Sequence, residues 1–156
     1  MLTHLVIYNN FSSVNSISHT HSKFATSWAQ TSKNIPIYGT THADFCKKEI
    51  PCLRYLSKKN VLKNYELNTG KLIVNFFKQK KLDINHFPGI LVAGHGSFAW
   101  GNSITSSTKN IEIIEYIAEL AYYSNMLKVK KSIPKYIVEK HFNRKNGIAA
   151  YYGQKK

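Results

Sequence analysis

Three histidines give this chain its clearest potential for chemistry. His19 and His21 are separated by one residue, and His95 lies between two glycines much farther along the chain. In an extended strand, residues i and i+2 point to the same face about 7 Å apart, so two imidazoles can converge on one ion. A third imidazole from a distant turn leaves a coordination position open, as in catalytic zinc sites, whereas structural sites are closed by four ligands. The pattern favours a catalytic metal site, although a lone His-x-His pair also arises by chance.

The segments around these histidines predict the strands that must position them. Residues 89–93 form an apolar run that leads into Gly94-His95-Gly96, which is typical of a buried strand ending in a glycine turn. Residues 14–19 alternate with a period of two, which predicts a strand carrying both histidines on the face of Ile17. Functional residues of α/β folds are commonly found at such strand ends.

The rest of the chain alternates between helical and extended patterns. Residues 35–39 predict a short edge strand, and residues 40–44 a loop or strand end. Helices are predicted over residues 3–11, 22–31, 71–81, 103–127 and 134–146, and Ile111, Ile114, Ala118 and Ala121 form a stripe that should pack on the sheet. Together these patterns predict an α/β layered fold in one domain over residues 1–156.

Composition narrows the class of protein. The chain has 156 residues, of which 43% are hydrophobic, and no segment approaches the roughly 20 apolar residues that span a bilayer. Cys46 and Cys52 match neither a zinc ribbon nor a Cys-x-x-Cys redox pair, so both are expected to be reduced thiols. We therefore expect a cytoplasmic protein with no membrane partner.

The formal charge of +14 raises the question of nucleic-acid binding. Of the 22 basic residues, only Arg54 and Arg144 are arginines, although arginine is the residue that contacts bases and phosphates with two parallel hydrogen bonds. The lysines are scattered singly and in pairs, which is typical of a solvated surface. The sequence therefore predicts no nucleic-acid partner.

Several motifs follow one another along essentially the whole chain. They are His19-Thr20-His21, Tyr38-Gly39-Thr40-Thr41-His42-Ala43-Asp44, Ile50-Pro51-Cys52, Gly94-His95-Gly96-Ser97-Phe98-Ala99-Trp100-Gly101, Lys140-His141-Phe142-Asn143-Arg144-Lys145 and Tyr151-Tyr152-Gly153-Gln154. In this order they resemble the class II sugar-phosphate aldolase/epimerase family, and within it the L-ribulose-5-phosphate 4-epimerases. The resemblance implies a class II aldolase-like domain with a central, largely antiparallel sheet flanked by helices.

The resemblance also implies an activity and an assembly. The activity is zinc-dependent interconversion of L-ribulose 5-phosphate and D-xylulose 5-phosphate, with one Zn²⁺ per subunit of a homotetramer whose active sites lie at subunit interfaces. Another divalent metal is possible because imidazoles accept several. A metal-dependent sugar-phosphate aldolase of the same family is the nearest alternative activity.

The same resemblance implies roles for individual residues. His19, His21 and His95 correspond to the metal-binding histidines. Asp44 and Tyr152 correspond to an acid/base pair contributed by the neighbouring subunit. His141 and Arg144 match polar residues near that site and are candidates for substrate binding. Outside the resemblance, Asp44 would be read as a turn cap and Tyr152 as a tail residue.

The chemistry of the implied reaction suits these residue types. The hydrogen on C4 of a 2-ketose is not α to the carbonyl, so simple deprotonation cannot invert that centre. Cleavage and re-formation of the C3–C4 bond can invert it, and a Lewis-acidic metal stabilises the negative charge that cleavage leaves on the ketose oxygens. Proton transfer is needed on both faces of the aldehyde, for which a carboxylate and a phenol are suited.

Three further histidines and two aromatic residues have simpler interpretations. His42 is expected to be structural or to support the site indirectly, and His4 and His86 are expected at the surface. Phe98 and Trp100 are expected in the core.

The resemblance also implies a segment that precedes Met1. Family members carry substrate-phosphate loops there, followed by a Ser-Ser-Asp sequence whose aspartate is a fourth metal-site residue. The expectation is an N-terminally truncated, partial domain. Such a chain is either part of an active epimerase or a catalytically inactive fragment or pseudogene product.

Overall fold

The computed structural model describes residues 2–147 and 150–151, which form six helices and four strands. A 3₁₀ turn spans Ile84–His86. In chain order the elements are α1 (Leu2–Tyr8), β1 (Ser16–Thr20), α2 (Lys23–Gln30), α3 (Thr40–Phe45), β2 (Cys52–Leu53), α4 (Lys58–Lys80), β3 (Gly89–Val92), β4 (Gly96–Gly101), α5 (Ile104–Met126) and α6 (Lys135–Asn146).

The four strands form one sheet in the order β1-β4-β3-β2. β4 pairs antiparallel with both β1 and β3, whereas the short β2 pairs parallel with β3. His19 lies opposite Phe98 in the β1/β4 register, and Ile90 lies opposite Phe98 in the β3/β4 register. The predicted α/β fold with a largely antiparallel sheet flanked by helices is confirmed.

Successive residues of the central strands point to opposite faces, and each face is covered by helices. Ile90 and Phe98 pack with residues of α1 and α4, whereas Leu91 and Ala99 pack with residues of α2 and α5. The predicted stripe on α5 is buried in the second of these layers, and the expected core positions of Phe98 and Trp100 are confirmed. The sheet is therefore the middle layer of three, which immobilises the strands that carry the histidines.

The elements predicted for residues 35–39 and 40–44 were wrong because tertiary packing overrides local pattern. Residues 40–44 lie in helix α3 rather than in a loop, and Ala43 at its centre packs with Ile37 and Val138. The edge strand predicted at residues 35–39 is reduced to one bridge between Ile35 and Ile50.

The helix predicted to begin at residue 71 begins thirteen residues earlier, at Lys58. It passes through a break at Asn64, where φ is −164° and ψ is 76°. Gly70 lies inside this helix because α1 crosses it closely: a Cβ there would lie 2.8 Å from both the Thr3 carbonyl oxygen and Val6 Cβ. Gly70 is therefore the point at which the two helices come into contact.

Other surface and core assignments follow from burial. Cys46 and Cys52 are free thiols, as expected, and burial raises the pKa of each to about 11, which makes them unreactive. His86 is exposed as expected, but His4 is half-buried with its ring edge against Phe98, so its surface assignment was wrong.

Among the described residues, no helix has the length and apolar character needed to cross a membrane.

His42 is an interior residue of α3, only 3% exposed. Its Nε2–H donates to the Lys48 carbonyl oxygen at 3.0 Å, while Nδ1 makes no hydrogen bond of good geometry within the described chain. Burial lowers the pKa of His42 from 6.5 to about 4, against the opposing effects of the Lys48 and Pro36 carbonyls and the Glu49 charge. The ring is therefore neutral in the folded protein at neutral pH.

We expect His42 to make the free energy of unfolding depend on pH. The unfolded chain takes up this proton near pH 6.5 and the folded chain only near pH 4, so stability is highest above pH 6.5 and falls as the pH decreases towards 4. Each pKa unit corresponds to about 1.4 kcal/mol, so the contribution is on the order of 3 kcal/mol. Urea unfolding of the wild type and of His42→Gln between pH 4 and 6.5 measures this contribution to the free energy of unfolding.

The exposed His86 offers the matched control. His86→Gln should keep the wild-type pH dependence of the unfolding free energy. His42→Gln should make this dependence shallower by the share of His42 and leave the shares of His19 and His95. Equal slopes for His42→Gln and the wild type would contradict the assignment.

Candidate metal centre

The three histidines converge because antiparallel pairing brings the end of β1 beside the beginning of β4. Thr20, the last residue of β1, lies opposite Ser97, the second residue of β4. His19 is therefore near the end of its strand, His21 directly follows it, and His95 lies in the turn that joins β3 to β4. Residues far apart in sequence thus meet at one edge of the sheet.

The two glycines around His95 are needed for this approach. Gly94 has φ of +65°, a conformation that side chains other than glycine rarely adopt, and a Cβ there would lie 2.5 Å from Tyr55 Cε1. A Cβ on Gly96 would lie 2.5 Å from the Thr20 carbonyl oxygen and 2.9 Å from His21 Cδ2. The Gly-His-Gly sequence is therefore a condition for the turn and for its contact with β1.

The imidazole spacing fits one metal ion. The Nε2 atoms of His19 and His21 are 3.2 Å apart, and the potential ligand atoms of all three histidines lie within 4.8 Å of one another. Two nitrogens at zinc distances of about 2.05 Å in a tetrahedral arrangement would be about 3.3 Å apart, close to this first separation. The triad could therefore hold a divalent cation with three nitrogen ligands.

Contacts of the Nδ1 atoms orient the rings of His19 and His95 for metal binding. His19 Nδ1–H donates to the Ser97 carbonyl oxygen at 2.8 Å, which leaves Nε2 with its lone pair, and the ring stacks on Phe98 with centroids 4.0 Å apart. His95 Nδ1 lies 3.1 Å from the Tyr65 hydroxyl. Metal-binding histidines usually donate their other N–H in this way.

Two of the rings, those of His19 and His95, are held in the neutral form that binds metals. Burial is the main reason that the pKa of His19 lies below its ordinary value, with repulsion by His21 and His4 adding to it. Burial also lowers the pKa of His95 to about 4, followed by the effects of His19 and His21. His21 Nε2–H donates to His19 Nε2, so a metal ion would replace one shared proton.

Tyr65 is a site residue that the sequence analysis did not identify. It follows the helix break at Asn64 and is 42% exposed, with its hydroxyl on His95. No spacing along the sequence links Tyr65 to the histidines, because the contact depends on where α4 crosses the β3–β4 turn. Only the tertiary structure reveals it.

Asp44, His141 and Arg144 form a second cluster, between α3 and α6. Arg144 donates to Asp44 through Nε at 3.1 Å and Nη2 at 2.9 Å, and His141 Nδ1 donates at 3.0 Å. Lys145 Nζ is 3.5 Å from the same carboxylate, which is 14% exposed. Among the described residues, the polar contacts of the Asp44 side chain are with α6 and not with the histidine triad.

The charges around Asp44 keep it ionised. Burial alone would raise the pKa of this carboxyl, but the hydrogen bonds from Arg144 and His141 and the charges of Lys145 and Arg144 outweigh burial and hold the pKa below its ordinary value. The structure thus brings three of the predicted site residues together here and the three histidines elsewhere. Tyr152, the other predicted acid/base residue, lies outside the described residues.

Comparison of sequences gives the relationship of this chain to known proteins. Residues 1–122 match the family described as Class II Aldolase and Adducin N-terminal domain. L-ribulose-5-phosphate 4-epimerase UlaF of Salmonella paratyphi C is 43% identical over 154 residues, which are 98% of this chain and 67% of that protein. Proteins of the same name from Salmonella choleraesuis and Salmonella typhi match equally well.

Solved structures show the same fold. L-fuculose 1-phosphate aldolase superposes with a TM-score of 0.69 at 18% identity, covering 92% of this chain and 61% of that one. An aldolase II superfamily protein from Pseudomonas syringae gives a TM-score of 0.70 at 13% identity, covering 97% of this chain and 56% of that one. The chain thus spans about three-fifths of the length of these structures. The predicted resemblance is confirmed: the chain belongs to the class II aldolase and adducin N-terminal domain family, and its curated relatives are L-ribulose-5-phosphate 4-epimerases.

Proposed function

We propose that this chain is a metal-dependent L-ribulose-5-phosphate 4-epimerase that interconverts L-ribulose 5-phosphate and D-xylulose 5-phosphate. The observation that carries the proposal is the convergence of three imidazoles in a chain 43% identical to proteins of that name. Three protein ligands would leave a coordination position for a substrate oxygen, as in catalytic rather than structural metal sites.

His19, His21 and His95 would hold the ion, which we propose to be Zn²⁺ at one per subunit. When bound, a divalent cation supplies Lewis acidity that stabilises negative charge on the oxygens of a ketose. The contribution of the protein is to orient the imidazoles. The Ser97 carbonyl does this for His19, and the Tyr65 hydroxyl does it for His95.

Asp44 and Tyr152 are the proposed acid/base pair for cleavage and re-formation of the C3–C4 bond. The carboxylate of Asp44 is ionised and held in place from one side by Arg144 and His141, so its orientation is fixed before substrate arrives. Its contacts lie away from the histidines of the same chain. This supports an arrangement in which Asp44 of one subunit faces the metal of another, as in the proposed homotetramer.

His141 and Arg144 are the proposed substrate-binding residues on this side. Arg144 lines a surface cleft together with Lys47 and Lys140. A concentration of positive charge next to the proposed acid/base carboxylate suits a phosphorylated ketopentose. Arg144 would then have two tasks, holding Asp44 and adding to the field that attracts the substrate.

We expect the purified protein to bind about one Zn²⁺ per chain, since the described residues place three imidazole ligands around one point. His19→Ala and His95→Ala should each lose most of this metal, because two imidazoles hold zinc far more weakly than three. Elemental analysis after dialysis measures the metal content. His86→Ala, at an exposed histidine, should retain it, and wild-type metal content in the first two variants would contradict the site.

Tyr65→Phe should weaken zinc binding roughly tenfold while leaving the fold intact, because His95 loses the hydrogen-bond partner of its Nδ1. Competition with a chromogenic chelator measures the dissociation constant. Tyr136→Phe, at an exposed tyrosine of α6, is the matched control and should not change the affinity. Equal affinities for the two variants would show that the Tyr65 contact does not tune the metal site.

The activity is tested by incubating the zinc-loaded protein with L-ribulose 5-phosphate and measuring D-xylulose 5-phosphate in a coupled assay. Turnover would establish the proposed epimerase activity, and Asp44→Asn should lower its kcat by at least about 100-fold, because a neutral amide cannot accept the proton. Glu139→Gln removes an exposed charge from α6 and serves as the control.

The same assay separates the alternatives. Net release of glycolaldehyde phosphate would assign the aldolase reaction instead. A zinc-loaded, folded protein without turnover of either kind would identify a catalytically inactive member of the family.

A further inference from the structure

His21 is the metal-site histidine whose position the sheet does not determine. The β1/β4 ladder ends at Thr20, so His21 is not a partner in that ladder. It is also the exposed member of the triad, whereas His19 and His95 are half-buried. Its placement must therefore come from the contacts of the residues that follow it.

Those contacts converge on Glu115 of α5. Ser22, directly after His21, donates its hydroxyl to Glu115 Oε2 at 2.6 Å. The backbone N–H of Ala25 donates to the same oxygen at 2.8 Å, and the N–H of Phe24 donates to Oε1 at 2.8 Å. Ser22 makes no side-chain cap of its own to α2, so the carboxylate from another helix takes the place of the usual N-cap.

Glu115 is itself held rigidly. Its neighbours Ile114 and Ile117 are buried against the sheet on the face opposite the histidines, with Ile114 fully buried. On the other side of His21, the backbone of Gly96 approaches so closely that a Cβ would lie 2.9 Å from His21 Cδ2. His21 thus lies between a glycine of the β3–β4 turn and a segment anchored to α5.

We propose that Glu115 is a positioning residue for the metal centre: by binding Ser22 and the first turn of α2, it sets the direction of the chain at His21. The three hydrogen bonds to one carboxylate fix the chain one to four residues beyond the ligand. This inference rests on the proposed metal site. It goes beyond that site by assigning a role to a residue that does not contact the ion.

Co²⁺ binding tests this role, because the visible absorption of Co²⁺ reports ligand geometry as well as affinity. The variants are Glu115→Gln, Ser22→Ala and the double variant, with Glu112→Gln at an exposed position of the same helix as the control. Ser22→Ala is the decisive single change. It leaves the Glu115 bonds to Phe24 and Ala25 in place and removes the short Ser22 link to Glu115, together with the longer hydrogen bond of 3.4 Å that the Ser22 hydroxyl accepts from Thr20.

We expect Ser22→Ala and Glu115→Gln each to weaken Co²⁺ binding about tenfold and to change its visible spectrum, while both variants remain folded by circular dichroism. The double variant should bind about as weakly as Glu115→Gln alone, because both changes act through one contact. Glu112→Gln should match the wild type.

Two results would overturn the inference. Wild-type affinity and spectrum in Ser22→Ala and Glu115→Gln, even with a lower Tm, would show that Glu115 only caps α2. Absence of Co²⁺ binding by the unsubstituted protein would overturn the metal site and this role together.

Discussion

The antiparallel pairing of β1 with β4 is the contact on which the candidate metal centre depends. It places His19 opposite Phe98 and Thr20 opposite Ser97, which brings the His-x-His segment beside the turn that carries His95. A shift of one residue in this register would turn His19 to the other face of the sheet, towards α2 and α5. Burial of Phe98 and Trp100 on one face and of Ala99 on the other opposes such a shift.

The polar environment of the site follows from the same pairing. The Ser97 carbonyl that accepts from His19 belongs to the partner strand. Burial is the main cause of the lowered pKa of His19 and of His95. It supplies the low-polarity surroundings in which an imidazole remains a lone-pair donor at neutral pH.

The proposed acid/base residue Asp44 is positioned separately from the histidines, by the contact of α3 with α6. Asp44 receives hydrogen bonds from Arg144 and His141 across a gap of about a hundred residues in sequence. One carboxylate therefore connects two helices and keeps its charge. Two separate clusters in one chain are compatible with an active site completed by a second subunit.

Much of this site could be predicted from the sequence because strand periodicity and glycine turns are local signals. Alternation over residues 14–19 and the Gly94-His95-Gly96 turn indicated two strands and three convergent imidazoles, and the order of motifs indicated the family. Long-range packing decided the other features: the start of α4, the helix at Asp44, the Tyr65 contact with His95 and the anchoring of Ser22 by Glu115. The side-chain contacts at Asp44, Tyr65 and Glu115 join residues that are 30 to 97 positions apart in sequence. They depend on where helices cross, which no local pattern specifies.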